Sequence, residues 1–128
     1  MNIFTAAPKF NTARTVLGIQ VDAALPTIAD GSDKQIAWAT KIRDEKLKQI
    51  VTTWLPRIQK QFGLVIGPIR ETDITDGSAF AVDFAAKVAK VADVFNADGK
   101  FATVLCNTPA RYWIDNREKN LIELVKAA

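Results

Sequence analysis

Ser32-Asp33-Lys34-Gln35-Ile36-Ala37-Trp38-Ala39-Thr40-Lys41-Ile42-Arg43 opens the stretch whose reading decides the fold. Ser32 followed three residues later by Gln35 is the pattern of a capping box, in which hydroxyl and amide satisfy free N–H groups at a helix start. Downstream, Ile36, Ala39, Ile42 or Arg43, Leu47, Ile50, Val51, Trp54, Ile58 and Phe62 recur at steps of three and four. That is one apolar stripe over about eight turns. Gly63 is a natural stop, because glycine accepts the left-handed conformation that closes many helices. Pro56 is the one objection: inside a helix it removes a hydrogen bond and crowds the preceding turn. The expectation is a long first helix, bent or broken into two near Thr52–Leu55.

On the N-terminal side the chain is less regular. Thr15 to Val21 has the β-branched content and length of a strand, whereas Pro8, Asn11 and Thr12 read as loop and Leu25-Pro26-Thr27 as a connector. On the C-terminal side, a short apolar run over 64–69 contains Gly67-Pro68, and Glu71 to Gly77 reads as polar loop capping the next helix. That helix spans about Ser78 to Phe95, with Phe80, Phe84, Val88, Val91 and Phe95 on one face. Asn96 to Gly99 is a turn signal, and Phe101–Leu105 fits a short strand or a helical turn equally. Thr108-Pro109 reads as an N-cap with proline at the first helical position, followed by a helix interrupted around Asn116. The fold class that follows is mainly α, with α+β as the alternative. The expected architecture is one compact helical domain over residues 1–128 with a minor N-terminal β element.

Hydrophobic residues at 48% and charged residues at 24% make an ordinary globular balance, able to fold without metals or staples. The one cysteine, Cys106, allows no internal disulfide and reads as a small buried hydrophobe. Met1 to Phe10 lacks the pattern of a signal peptide, and no stretch approaches the roughly 18 apolar residues of a membrane span. A cytoplasmic location is the resulting expectation. Histidine is absent, which removes Ser-His-Asp and Cys-His nucleophile systems and the commonest metal ligand. Gly63 to Gly67 lacks the Lys and Ser/Thr of a phosphate loop, and Asp93 to Gly99 fails as a calcium loop because Val94 and Leu105 fall where carboxylates are required. The chain is therefore expected to be a non-enzyme with no cofactor and no metal.

Charge is unevenly placed. The net charge is +3, yet Ser32–Phe62 holds seven cations and three anions, +4, which leaves −1 for the remainder. Lys34, Lys41, Lys48 and Lys60 lie off the apolar stripe and, with Arg57, could face phosphates, or simply be a solvated face. Trp54 lies on the stripe and Trp38 at its margin, so both read first as core rather than as base-stacking platforms. The heptad Arg111-Tyr112-Trp113-Ile114-Asp115-Asn116-Arg117 crowds aromatics and charges together and is the most site-like segment; Arg111 and Arg117 join the candidate partner-binding cations.

Gly31 to Arg43 resembles a recurrent GS-x-KQIAWA-x-x-IR opening of small uncharacterised proteins of bacteria, phages and other mobile elements. Ala110, Trp113, Ile114, Asp115 and Arg117 are similar to the A-x-x-W-I-D-x-R that often accompanies it. The resemblance implies that the first and last helices pack together, with Trp38 and Trp113 in a shared aromatic cluster. It also implies a mobile-element setting, where small domains often inhibit host defence, anti-CRISPR proteins included. The first functional expectation is thus a non-catalytic interaction protein, an anti-defence inhibitor, whose partner is a protein. The alternative is a small nucleic-acid-binding module using the basic face of residues 34–60.

Overall fold

The computed structural model describes residues 2–64 and 66–128, so Met1 and the Val65 part of the expected 64–69 run lie outside it. Among the described residues, two strands, β1 (Phe4–Phe10) and β2 (Val16–Ala23), precede six helices. These are α1 (Asp33–Gln61), α2 (Glu71–Thr75), α3 (Ala79–Asn96), α4 (Gly99–Leu105), α5 (Ala110–Asp115) and α6 (Leu121–Ala127). The fold is mainly α with a minor β element near the N-terminus. Among the described residues no helix is long and apolar enough to cross a membrane.

α1 starts as its sequence demands. The Ser32 N–H donates to Gln35 Oε1 at 2.9 Å and the Gln35 N–H to Ser32 Oγ at 3.2 Å, closing the capping box. At 1.5 Å per residue its length is about 43 Å. The expected alternative of two successive helices is not realised, because the chain stays helical through Pro56. Pro56 and Thr52 are both exposed, so the Thr52 carbonyl that loses its donor faces water rather than the core.

Contacts divide the chain into two compact units, one made of Phe4–Ala23 with Leu55–Ala97, the other of residues 2–3, Ala24–Trp54 and Asp98–Ala128. In the strand-bearing unit, β1 and β2 pair antiparallel from Phe4↔Ala23 to Lys9↔Gly18, with an irregularity at Lys9/Phe10. Pro8, expected in a loop, sits inside β1. The Phe4 N–H and C=O bond the Asn96 side chain at 2.9 and 3.0 Å, away from β2. Alternation then turns Pro8 to the same outer side, where a residue without an N–H costs no ladder bond. α3 covers β1 and buries Ala81, Phe84, Val88, Val91 and Phe95, with the Phe95 ring 5.4 Å from that of Phe4. Phe80, expected on that face, is half-exposed, because Ala81 takes the buried position one turn before Phe84 and Phe80 falls one residue outside that row. The expected 71–77 loop contains α2 instead: the Asp73 carboxylate takes the Arg70 N–H and starts a turn that Gly77, at φ +73°, ends. Ser78 Oγ then accepts the Ala81 N–H and caps α3.

In the other unit Phe101–Leu105 resolves as helix, started by Asp98, whose side chain accepts the Lys100 N–H. Phe101, Val104 and Leu105 are buried, and Phe101 meets Trp54 edge-on at 5.3 Å. α5 begins one residue later than expected, with Pro109 rather than Thr108 at the N-cap. The reason is a parallel bridge: Thr108 O accepts the Ala29 N–H and Ala29 O the Ala110 N–H, which holds Pro109 extended. Trp113 is fully buried and donates its indole N–H to Asn107 O at 2.9 Å. α5 ends at Asn116, and Asn120 caps α6 by accepting the Glu123 N–H. α6 buries Leu121, Leu124 and Val125 and packs against α4.

Candidate binding groove

The two sequence pieces that opened and closed the resemblance do meet. A Cβ on Gly31 would stand 3.0 Å from that of Ala110, so only glycine admits this approach without displacement. The expected Trp38–Trp113 cluster, however, does not form. Trp113 stacks edge-on with Tyr112 at 5.1 Å, while Trp38 is 48% exposed with the Arg117 guanidinium 5.6 Å above its ring. The cause is spacing: Ala39, Ile42, Arg43, Lys46 and Ile50 are the buried positions of this part of α1, and Trp38 falls one residue outside that row.

Two cations therefore occupy core positions. Arg43 donates to Pro26 O at 2.8 Å and holds the connector before α1, although its Nε finds no hydrogen-bond partner among the described residues. Lys46 donates to Arg117 O at 3.0 Å and to Lys119 O, closing the link between α5 and α6 onto α1. Burial pushes both groups below their ordinary pKa values, against the opposing pull of nearby carboxylates. Neither was legible as a site from charge alone. The signal lay in the period, since residue 46 continues the 39–42 row.

Around Lys46 the surface is concave. One hollow is walled by Trp38, Ile42, Glu45, Gln49, Arg117 and Glu118. A second continues along α1 past Ile50 and Thr53 to Trp54, and is closed on the far side by Asn120, Leu121 and Ile122. Lys46 and Gln49 line both. From Trp38 to Trp54 the groove follows about 24 Å of helix, the length of roughly seven extended residues.

Of the expected partner-binding cations, only Arg117 reaches this groove. Lys34, Lys41 and Lys48 are exposed at intervals of seven, one line along α1. Asp44 and Glu45, three and four residues past Lys41, interleave with that line, so the face is mixed in sign. Arg57 and Lys60 are exposed on the part of α1 that belongs to the strand-bearing unit. Arg111 is exposed and pairs with Asp115 at 3.1 Å, a one-turn helical contact. Among the described residues no group of three His, Cys, Asp or Glu side chains could hold a metal ion. Cys106 is half-buried.

Comparison with known proteins brings out no relative: no family model matches the chain, and no curated protein or solved structure matches it significantly.

Proposed function

We propose that this chain is a non-catalytic binding protein that takes an extended segment of a protein partner into the groove between Trp38 and Trp54. The observation that carries the reading is the half-exposed Trp38 beneath Arg117 at the mouth of that groove. Tryptophan and arginine are the residue types that most often dominate binding energy, and a rigid indole offers large contact area at small entropic cost. A protein segment suits the groove better than nucleic acid. Its rim balances Arg117 against Glu118 at 4.0 Å and adds Glu45, whereas a strand-binding groove is a cationic funnel. Within this class, the mobile-element resemblance makes an anti-defence inhibitor of the anti-CRISPR type the biological setting we favour, with the action in the cytoplasm. The second reading, a nucleic-acid module, rests on the line Lys34, Lys41, Lys48.

The test is to present the immobilised full chain with displayed random peptides and, separately, with random single-stranded oligonucleotides at about 0.15 M salt. Peptides retained by the wild type and lost by Trp38→Ala are the expected result. Submicromolar oligonucleotide binding that survives Trp38→Ala and disappears in Lys41→Glu/Lys48→Glu would overturn this reading in favour of the second.

A further inference from the structure

An ammonium group carries three N–H donors. At Lys46 two go to the carbonyls of Arg117 and Lys119, and only 7% of the residue is exposed. Among the described residues no carboxylate stands at ion-pair distance from it; Glu123 and Glu118 act on it from farther away. A charge held from water is costly unless an opposite charge meets it, and carbonyl dipoles offset only part of that cost. The two hollows of the groove adjoin at this residue, with the Gln49 amide one turn further along α1.

We infer that the segment bound here carries an aspartate or glutamate whose side-chain carboxylate pairs with the Lys46 ammonium, beside Gln49. This rests on the groove being the binding site. A side chain is specified rather than a chain terminus because hollows lie on both sides of Lys46, so the segment continues past it. A carboxylate is specified rather than a phosphoryl group because Glu45 and Glu118 on the rim would repel a second negative charge.

The experiment selects seven-residue peptides on the full chain and measures the affinity of each selected peptide and its Glu→Gln or Asp→Asn counterpart. Wild type and Lys46→Met are compared, with melting curves run alongside. An acidic residue near the centre of the selected peptides is expected. Its amide replacement should weaken binding to the wild type by about tenfold to a hundredfold, and binding to Lys46→Met hardly at all. Should Lys46→Met fail to fold, the peptide-side replacement on the wild type decides the matter. Peptides that need Trp38 but show no acidic preference, or whose preference survives Lys46→Met, overturn the carboxylate and leave the groove standing. Absence of any Trp38-dependent peptide overturns both.

Discussion

At 48% exposure, Trp38 forgoes on truncation about half the transfer free energy of a buried indole, and its cation–π contact with Arg117 contributes about 0.5–1 kcal/mol. Trp113, fully buried and hydrogen-bonded, would leave a cavity costing about 3–5 kcal/mol. Thermal melts should therefore separate Trp113→Ala, which falls steeply, from Trp38→Ala, which shifts by a few degrees. Equal shifts would mean that Trp38 is core after all. Lys46→Ala belongs with the first group. It strips donors from two carbonyls in a buried place, for about 1–3 kcal/mol, while exposed Lys41→Ala should stay within about 0.5 kcal/mol. Composition sorts lysines as surface and tryptophans as core. Trp38 and Lys46 break that sorting, and only the phase of the stripe carries that information.

Elements with strong local chemistry were the readable ones. Ser32 with Gln35 placed the start of α1, and the row from Phe84 to Phe95 placed α3 within a residue or two. β1 was unreadable because Pro8 and two alanines give it no strand pattern; what makes it a strand is β2 beside it and Asn96 at its edge. α2 is not legible in the sequence because its five residues hold a single apolar side chain, Ile74, which makes no period, and none of the five is fully buried. Pro56→Ala should restore the missing donor to Thr52 and raise stability by about 1–3 kcal/mol, seen as a higher melting temperature. A fall would mean that Pro56 serves packing that its exposure does not suggest. Around α2, Glu71 pairs with Arg14, which holds its carboxyl below the ordinary 4.5, and Asp76 is held below 3.8 by its bonds from Ser78. Folded values below unfolded ones mean a contribution present above those ordinary values and lost as pH falls through the depressed ones. Melting temperature should decline on acidification in that range, and less so in Glu71→Gln.

For the whole molecule the question is whether its basic excess is a binding surface. The +4 of the 32–62 stretch shrinks on inspection, since Arg43 and Lys46 are buried and spent on carbonyls. Lys34, Lys41 and Lys48 remain on one line of α1 in the groove-bearing unit, and Asp44 and Glu45 sit within a turn of them. Each phosphate neutralised releases counterions worth about 0.7–0.9 in the slope of log K against log salt. Three lysines therefore support a slope of about 2–3, and two neighbouring carboxylates reduce it. Weak, sequence-indifferent nucleic-acid binding at about 0.15 M salt is the expected outcome. Lys41→Glu/Lys48→Glu should abolish it without moving the melting temperature, because exposed charges contribute little to stability. The same double variant should weaken a groove-bound peptide only slightly, through a slower association rate with the dissociation rate unchanged. A salt slope above about 3, or loss of peptide affinity in the double variant with Trp38 intact, would place binding on the lysine line instead of in the groove.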